Sequence, residues 1–373
     1  MQILHICNDY CGSKVHSNLY SQLDKIGVKQ VIYAYYRGEN KSGKNQFEAS
    51  NTTFVYSGIL KTYHRVLYHY KNEVVYQDLL RHVRPSEFSL CHATTLFSDG
   101  AIAYKLYKEH KVPYVVTVRK TDASEFLYFA PHTWSLGIKI LKSAKQIMFI
   151  SKAALDNFCR HFLIKKILPL IKDKFLIQPN GIDDYWLSNL SHAVINNNHS
   201  ILYVGKFDYN KNVTRLIEAF LDLKDTYPDL KLHLVGGGGK REKKVLKFVR
   251  NNPETIKYHG HIFDKETLMH IYRSCSIFAM PSIFETFGLV YIEAMSQNLA
   301  VLYTKNQGIS GLFDDRIGEA VEPLSVKSIR NALSKLLGSR YYYNYPEKID
   351  YNKFRWSTIA ERYLDIYSTI VEL

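Results

Sequence analysis

Cysteine is scarce in this sequence, with five widely scattered residues among 373. Their spacing gives neither a zinc site nor the even set of a disulfide framework, so we expect a reducing compartment. No window approaches the roughly 18 consecutive apolar residues of a membrane-spanning helix, and the start, MQILHICNDY, does not resemble a secretory signal. We therefore expect a cytoplasmic protein whose membrane contact is at most peripheral, on the inner face.

Several common ligand motifs are also missing. The glycine run 236–239 lacks both the G-x-G-x-x-G spacing and the P-loop Lys-Ser/Thr, which argues against NAD and ATP. The acidic pairs at 183–184 and 314–315 are adjacent residues and form no D-x-D arrangement, so we interpret them as turns and expect neither a metal ion nor another cofactor. No helix-turn-helix, zinc-finger or aromatic RNA platform is present, which argues against a nucleic-acid partner.

The residues that are present make an ordinary globular mixture, with 46% hydrophobic and 23% charged residues, in a length sufficient for two domains. The formal net charge of +14 lies mainly in the first half, where residues 1–180 hold 25 Lys and Arg against 13 Asp and Glu. A basic half favours an anionic partner, such as nucleic acid, a membrane surface or a phosphorylated substrate, and charge alone does not choose among them.

Short apolar runs alternate with helical patterns along most of the chain, as is typical of parallel sheets covered by helices. The predicted strands are 3–7, 30–35, 90–93, 114–118, 146–150 and 175–178, then 200–204, 231–235, 256–259 and 277–280. We predict two doubly wound α/β domains facing a central cleft, an N-terminal domain of residues 1–184 and a C-terminal domain of residues 185–353. A helix in residues 354–373 has a wide apolar face and is expected to pack back on the first domain.

Two glutamates frame the sharpest feature, the segment MPSIFETFGLVYIEA. A predicted strand ends at Met280 and helical spacing begins at Gly288, so Glu285 lies just before the helix and Glu293 within it. This arrangement suits a nucleotide sugar, with one carboxylate for sugar hydroxyls, one for ribose hydroxyls and the free N–H groups of the helix start for the diphosphate. Two surface glutamates beside an ordinary cap fit the same spacing.

A pair of lysines follows another predicted strand end. Lys206 and Lys211 come after Gly205, in the loop that opens the next predicted helix. Two ammonium groups beside a helix N-terminus make an anion site without a metal. Lysines in such loops are more often simply solvated, so the motif alone does not establish a site.

The order of these motifs, VGKFDYNK, LVGGGG, YHGHI and MPSIFETFGLVYIEA, resembles the C-terminal half of glycosyltransferase family 4, the retaining GT-B enzymes. The two glutamates, with seven residues between them, are similar to that family's E-x7-E element. PYVVTVRKTD, FISKAALDNF and IQPNGID extend the resemblance through the first half of the chain. The expected fold is therefore GT-B, with two Rossmann-like domains.

The resemblance also implies roles for individual residues. Glu285 would contact the donor sugar and Glu293 the ribose, while Lys206, where the family usually has Arg, and Lys211 would bind the diphosphate. Lysine keeps the charge of arginine and loses its bidentate fork. The other implied donor-binding residues are Gly12, where the family often has two glycines, and Gly205, Gly236, His261, Ile262, Phe287, Gly288 and Leu289.

The largest departure from the family is Arg119, which stands where many members carry a histidine. Arginine cannot act as a base at neutral pH, so we expect Arg119 to bind a donor phosphate or an anionic acceptor. His92, Arg119 and Asp122 are the predicted acceptor contacts. A structural role for His92 and a basic surface pair at 119–120 are the alternatives.

The predicted function is a metal-independent transfer of a sugar, with retention, from a UDP- or GDP-sugar to a glycan or lipid-linked glycan in surface polysaccharide biosynthesis. A GT-B epimerase or hydrolase and a catalytically silent partner subunit are the alternatives. An anionic membrane surface is a predicted partner, because the stretch 158–175 alternates apolar and basic side chains. Its pattern is formed by Phe158, Phe162, Ile167 and Leu170 with Arg160, Lys165, Lys166, Lys172 and Lys174.

Overall fold

A computed structural model describes residues 1–191, 199–313, 317–339 and 349–372, and the chain forms two compact units. The first unit contains residues 1–150, 154–181 and 356–373, and the second contains residues 151–153 and 182–355. The chain thus enters the second unit after Gly181 rather than after residue 184, and returns to the first at Trp356.

The first unit is built on a seven-stranded sheet in which every pair of neighbours is parallel, in the order β3-β2-β1-β4-β5-β6-β7. The strands are β1 (Gln2–Ile6), β2 (Lys29–Arg37), β3 (Thr52–Leu60), β4 (Leu90–Ala93), β5 (Tyr114–Val118), β6 (Gln146–Phe149) and β7 (Phe175–Ile177). The helices are α1 (Lys14–Lys25), α2 (Tyr68–His82), α3 (Asp99–His110), α4 (Leu127–Phe129), α5 (Trp134–Ser143), α6 (Lys152–Arg160) and α7 (Phe162–Ile171), with α14 (Trp356–Glu372) from the chain end.

The second unit holds a six-stranded parallel sheet in the order β10-β9-β8-β11-β12-β13. Its strands are β8 (Ser200–Lys206), β9 (Lys231–Gly237), β10 (Ile256–Tyr258), β11 (Ile277–Ala279), β12 (Ala300–Thr304) and β13 (Gly318–Val321). Its helices are α8 (Asp184–Ser188), α9 (Val213–Leu221), α10 (Glu242–Asn251), α11 (Lys265–Arg273), α12 (Leu289–Ser296) and α13 (Val326–Ser339). The prediction of two parallel, doubly wound α/β domains is confirmed.

Each face of the first sheet has its own apolar core. On one face, α2, α3, α5 and α7 bury side chains such as Val75, Ile102 and Ile140. On the other face, α14 packs with α1, and the buried stripe of α14 includes Ile359 and Tyr367. Burial on both faces explains why strands such as β5 are apolar without alternation.

β3 is a strand that the apolar pattern of the sequence does not indicate. It lies at the edge of the first sheet, where most of its side chains are only half-buried. An edge strand contacts one neighbour, so its sequence needs less continuous apolarity than a central strand. The segment Thr52–Leu60 accordingly has no strong period.

α7 covers most of the segment predicted to lie in a membrane interface. Phe158 and Ile167 are buried in the core of the first unit, so the prediction that they contact a membrane is wrong: their apolar surface is already covered by the sheet. Phe162 and Leu170 are 52% and 60% exposed. The neighbouring lysines, Lys165 and Lys166, are exposed as well.

Candidate active site

Lys211 and Glu285 form an ion pair at the carboxyl end of the second sheet, with Nζ and Oε2 2.7 Å apart. Lys211 lies in the loop after β8, and Glu285 lies in the loop after β11. These two strands are neighbours, and the strand order reverses between them, because β9 and β10 lie on one side and β12 and β13 on the other. Ligands of open α/β sheets bind at such a switch point, so the pair marks the expected ligand site of this unit.

Asn210 joins the two loops by hydrogen bonds. Its Nδ2 donates to the carbonyl oxygen of Phe284 at 2.9 Å, and its Oδ1 accepts the N–H of Phe284 at 3.1 Å. Its own carbonyl accepts the N–H of Ile283 at 2.7 Å, while the Asp208 carboxylate accepts the backbone N–H of Lys211 at 2.8 Å. The ion pair therefore sits on two loops that hold each other in place, through an asparagine that the sequence motifs did not single out.

The Glu285 carboxylate is surrounded by donors. Oε2 accepts the hydroxyl of Ser282 at 3.1 Å as well as the Lys211 ammonium, and Oε1 accepts the N–H of Thr286 at 3.1 Å. The side chain of Glu285 is 10% exposed and that of Lys211 is 27% exposed. A carboxylate so bonded has one orientation, while the half-buried lysine retains access to an incoming anion.

Two glycines allow the backbone to close around Glu285. Gly288 has φ +80°, and a Cβ there would lie 2.4 Å from Cδ2 of Tyr291. Gly308 has φ +53°, and its Cβ would lie 2.9 Å from Cγ of Glu285. The helix predicted from Gly288 begins one residue later as α12, because Gly288 in the left-handed conformation is its capping residue.

Glu293 lies on α12, where the Tyr272 hydroxyl donates to its Oε2 at 3.4 Å. Burial raises the pKa of Glu293 to about 7, although the Tyr272 hydrogen bond and the Lys265 ammonium act in the other direction. Close to neutral pH this carboxyl is therefore partly protonated, and a ligand that donates hydroxyl groups to it would favour its charged form.

The glycine run follows the strand beside β8. Gly205 pairs with Gly236 in the register of β8 and β9, and a Cβ on Gly236 would lie 2.1 Å from the carbonyl oxygen of Gly205. Lys206, the last residue of β8, is exposed. His261 is exposed too, and its Nε2 lies 2.8 Å from the position of a Cβ on Gly237. The backbone of these glycines and the ammonium group of Lys206 therefore lie beside the strand ends whose loops carry Lys211 and Glu285.

Three of the remaining predicted residues of the second unit surround α12 and the chain after β10. Phe287 is buried, Leu289 begins α12 half-buried, and Ile262 is half-buried after β10. Their placement near the strand ends follows from the same βα connections that position Glu285 and His261.

Asp122 lies in the first unit and is fully buried, so the prediction that it contacts an acceptor is wrong. Its two oxygens accept the backbone N–H groups of Leu96 and Phe97 at 3.0 Å and of Arg119 at 2.8 Å. Burial raises its pKa to about 6 against these hydrogen bonds. Asp122 instead holds the loop after β4 to the loop after β5, and acts on any ligand through them.

His92 is also part of the core, which agrees with the structural alternative. Its Nδ1 lies 2.7 Å from the Tyr367 hydroxyl and its Nε2 lies 3.0 Å from the Thr117 hydroxyl. Burial, and then the charge of Arg119, lower the pKa of His92 to about 3. Both nitrogens are occupied and the ring is neutral, so no acceptor contact remains for it.

Arg119 is half-buried at the end of β5, and its Nε donates to the carbonyl oxygen of Thr94 at 3.2 Å. Burial raises the pKa of Asp9, while the charges of Arg119 and Lys41 oppose that rise. Gly12 follows β1, and its Cβ would lie 2.2 Å from Oδ1 of Asp9. The loops after β1 and β5 thus bring a cation close to a carboxylate and a glycine in the first unit.

Metal-binding clusters are not found in the part of the chain that the structure describes, where no group of three or more His, Cys, Asp or Glu could hold an ion. Asp183 caps α8 by accepting the N–H of Tyr185 at 2.9 Å, and Asp184 pairs with Arg355 at 3.5 Å. The pair 314–315 lies outside the described residues. Cys7, Cys11, Cys91 and Cys275 are free thiols.

None of the helices among the described residues has the length and apolarity needed to span a bilayer.

Comparison with known proteins finds similarity to glycosyltransferases, mainly in the second half of the chain. Residues 191–356 match the model of the family Glycosyl transferases group 1. An uncharacterized glycosyltransferase of Methanocaldococcus jannaschii is 24% identical over 284 residues, which are 70% of this chain and 71% of the relative. The lipopolysaccharide 1,2-N-acetylglucosaminetransferase of Salmonella typhimurium is 30% identical over 178 residues, which are 44% of this chain and 46% of the relative.

Among solved structures, the Anabaena protein HepE in complex with UDP and glucose superposes with a TM-score of 0.66 at 16% identity, covering 99% of each chain. These matches agree with the resemblance noted in the sequence: residues 191–356 match the model of Glycosyl transferases group 1, and the fold is that of GT-B glycosyltransferases, with two parallel-sheet Rossmann-like units.

Proposed function

We propose that this glycosyltransferase moves a sugar, with retention and without a metal ion, from a UDP- or GDP-sugar to a glycan or lipid-linked glycan acceptor in surface polysaccharide biosynthesis. The Lys211–Glu285 pair at the switch point carries the proposal. It sets a cation for phosphate oxygens and a carboxylate for sugar hydroxyls within 2.7 Å of each other. The UDP and glucose bound by HepE and the lipopolysaccharide substrate named for the Salmonella relative support the choice of donor and acceptor.

The donor diphosphate is assigned to Lys206, Lys211 and the first N–H groups of α12. As the glycosidic bond breaks, negative charge grows on the leaving phosphate, and cations already fixed at that point stabilise it more in the transition state than in the ground state. Lys206 is exposed at the end of β8, and Lys211 is fixed through Asp208. Two lysines thus supply the charge that a divalent ion provides in metal-dependent transferases.

The two glutamates are assigned to opposite parts of the donor. Glu285, held by Ser282 and Thr286, has a fixed orientation suited to hydroxyls of the transferred sugar. Glu293 is assigned to the ribose, whose two adjacent hydroxyls donate to one carboxylate. Those donors favour the charged form of a group whose pKa burial raises to about 7.

Arg119 is assigned to an anionic group of the acceptor. It cannot accept a proton at neutral pH, so it does not replace a catalytic histidine as a base. In the mechanism implied by the family resemblance, the leaving phosphate itself helps to deprotonate the acceptor hydroxyl, and no protein base is needed.

Nucleotide release tests the proposed reaction. We expect incubation with a panel of UDP- and GDP-sugars to release UDP or GDP only when a lipid extract supplies an acceptor, and to do so equally well in EDTA. The measurement is coupled detection of free nucleoside diphosphate, with analysis of the product's anomeric configuration.

The other outcomes of the same assay contradict the proposal. Activity lost in EDTA and restored by manganese would exclude the metal-independent diphosphate site. Conversion of the donor sugar without nucleotide release would indicate an epimerase. Nucleotide release without any acceptor would indicate a hydrolase, and no change in any donor would indicate a silent partner subunit.

We also propose that the first unit binds an anionic membrane through a basic and apolar surface, defined by Tyr128, Phe129, Phe162, Leu170 and the lysines at 165 and 166. The rings of Tyr128 and Phe162 are connected through His161 and Trp134 at centroid distances of 5.0 to 5.7 Å. Phe129 is 81% exposed. Each basic residue near an anionic surface contributes about 1 kcal/mol, which with apolar contacts suffices for reversible attachment.

Liposome sedimentation checks the membrane surface. We expect binding that increases with anionic lipid, decreases with salt and falls several-fold in the double variant Lys165→Glu and Lys166→Glu. The matched control is Lys243→Glu with Lys247→Glu on α10, which makes the same change in net charge at exposed positions. Equal sedimentation with neutral and anionic vesicles, or equal loss in both double variants, would contradict this surface and favour a soluble acceptor.

A further inference from the structure

Four exposed apolar side chains lie close together in sequence between β3 and the first turn of α2. This apolar patch consists of Tyr63, Val66, Leu67 and Tyr70, which are 48%, 82%, 48% and 53% exposed. Single exposed apolar residues are normal on a protein surface, but four within eight residues are typical of a surface that contacts a partner or a ligand. The segment follows β3 at the carboxyl end of the first sheet, which is the edge at which open α/β sheets bind ligands.

Basic side chains lie in and beside the same segment. Lys61 and Arg65 are exposed within it, and Arg37 is half-buried at the end of β2, the strand that pairs with β3. Nε of Arg37 donates to the carbonyl oxygen of Lys61 at 3.0 Å, which holds the guanidinium group against the segment. None of these three side chains forms an ion pair with a carboxylate in the part of the chain that the structure describes. Their charge is therefore available to an anion.

His64, a buried residue in the middle of the segment, has these cations around it. Its Nδ1 accepts the backbone N–H of Lys61 at 2.9 Å. Burial, and then the charges of Arg37, Lys61 and Lys71, lower the pKa of His64, so the ring is neutral. Burial, and then the charge of Arg65, lower the pKa of Arg37. The cations are therefore close enough to repel one another, and a bound anion would relieve that repulsion.

Lys71 extends this basic cluster toward the loop after β4. The residue is 9% exposed, and its Nζ donates to the Ser98 hydroxyl at 3.1 Å and lies 5.4 Å from the ring centroid of Tyr68. Burial lowers the pKa of Lys71 to about 8. In the same loop, the carbonyl oxygen of Thr94 accepts Nε of Arg119 at 3.2 Å. One loop thus joins the basic cluster to the residue assigned to the acceptor.

An apolar patch beside cations matches a ligand in which phosphate is joined to a hydrocarbon chain. Arginine and lysine donate charge-assisted hydrogen bonds to phosphate oxygens, and a hydrocarbon chain that covers exposed apolar side chains removes their surface from water. We propose that residues 61–71 and Arg37 form a surface that binds a lipid-linked phosphate or diphosphate, the anionic part of the acceptor. This inference deepens the proposed function, on which it rests for the role of the ligand as acceptor. A soluble glycan phosphate would leave the apolar patch uncovered.

Isothermal titration calorimetry on the full chain tests this surface with three probes, which are geranyl diphosphate, inorganic diphosphate and geraniol. Excess UDP is present in every titration, so that the diphosphate site of the second unit is occupied. We expect geranyl diphosphate to bind about 10-fold or more tightly than either other probe, because it alone offers both the anion and the chain. Equal affinity for inorganic diphosphate would indicate a free-phosphate site, and equal affinity for geraniol an apolar site. Either result, or no binding of geranyl diphosphate, overturns the proposal.

Two exposed cations of the surface can be removed together. In Lys61→Gln with Arg65→Gln, we expect the Kd for geranyl diphosphate to rise about 10-fold or more, with the Tm close to that of the wild type. The matched control is Lys29→Gln with Arg81→Gln, which removes the same charge at exposed positions at the start of β2 and near the end of α2. This control should keep the wild-type Kd. Equal loss of binding in both double variants would indicate an effect of net charge alone and would overturn the proposal.

Leu67→Ser tests the apolar patch. Leu67 is the capping residue of α2, a position at which serine is favourable, so the substitution keeps the start of the helix. We expect the Kd for geranyl diphosphate to rise several-fold and the Kd for inorganic diphosphate to stay the same, because only the chain contacts this position. Leu324→Ser, at a 59% exposed position of the second unit, is the control and should change neither Kd. Wild-type affinity for geranyl diphosphate in both Leu67→Ser and the double variant of Lys61 and Arg65 overturns the proposal.

Failure of this inference is distinguishable from failure of the proposed function. The titrations contain no donor sugar and measure no nucleotide release, so a negative result leaves the transfer reaction in place with a different acceptor. Binding of geranyl diphosphate by a protein that releases no nucleotide from any donor contradicts the proposed function and leaves the lipid phosphate surface in place.

Discussion

Glu285→Gln is expected to lower kcat by about 100-fold or more, with a small change in donor KM, whereas Glu293→Gln should mainly raise the donor KM. The magnitude for Glu285 is that of removing one fixed electrostatic contact from a site where charge develops in the transition state. The measurement is steady-state nucleotide release over a range of donor concentrations, with the acceptor saturating.

The two variants should differ because the two carboxylates are assigned to different parts of the donor. Glutamine at 285 removes the negative partner of Lys211, whose Nζ now lies 2.7 Å from Oε2, and so changes both the contact to the sugar and the position of the diphosphate cation. Interactions at the reacting sugar strengthen as the bond breaks, while ribose contacts are the same in ground and transition states. Loss of the contact to the reacting sugar therefore lowers kcat, and loss of the contact to the ribose raises the donor KM.

Glu218→Gln is the matched control. Glu218 pairs with Lys244 at 2.9 Å on the exposed surface of the same unit, and exposed pairs contribute little to stability. Its kinetic constants should equal those of the wild type. Wild-type rates for Glu285→Gln, or a kcat effect as large for Glu293→Gln, would contradict the assignment of the two carboxylates.

Much of the second unit's site could be predicted from the sequence, because strand ends and charged loops are encoded locally. The runs ending at Gly205 and Met280 predict two strands whose loops carry Lys211 and Glu285, and parallel sheets bring such loops to one edge. That these two side chains pair was not predictable, since they are 74 residues apart in sequence and the order of their strands is set by the whole sheet. The hydrogen bonds by which Asn210 joins the loops after β8 and β11 depend on the same strand order.

In the first unit, by contrast, the roles of the candidate residues could not be predicted from the sequence. His92 and Asp122 end or follow strands as functional residues do, and the pattern does not tell whether such a side chain points along the sheet edge or into the core. Their burial is decided by α14, which supplies Tyr367 to His92 from the far end of the chain, and by the loop at 96–97.

Acid is expected to destabilise the first unit, with the free energy of unfolding falling as the pH drops from 7 to 5. His5, His16 and His92 are buried there, and burial is the largest cause lowering the pKa of each. In the folded state they stay neutral, whereas in the unfolded state they take up protons below about pH 6.5. The unfolded state then binds more protons, so stability is lost as the pH falls.

Two buried carboxyls act in the opposite direction. Burial raises the pKa of Asp99 and Asp122 to about 6, so these carboxyls take up protons in the folded state before they do so in the unfolded state. Each of them therefore increases the free energy of unfolding by about 1 kcal/mol between pH 7 and 5. His92 has a pKa of about 3, and its contribution lowers the free energy of unfolding by about 2 kcal/mol over the same interval. These three contributions nearly cancel. The net sign then depends mainly on His5 and His16, whose pKa values burial lowers well below the usual range, with His64 and His161 acting in the same direction and Asp9 in the opposite one.

The double variant His5→Leu and His16→Leu should therefore remove most of the acid sensitivity of this unit. His5 is the more informative position, since it is fully buried and its ring centroid lies 4.1 Å from that of Tyr20. The measurement is hydrogen exchange by mass spectrometry at several pH values, corrected for the intrinsic rate, in peptides from β1, β4 and α14. His270→Leu, at an exposed position of α11, should keep the wild-type dependence. A wild-type unit as stable at pH 5 as at pH 7, or a double variant that remains equally acid-sensitive, would mean that the buried carboxyls outweigh the histidines and that acid sensitivity has another source.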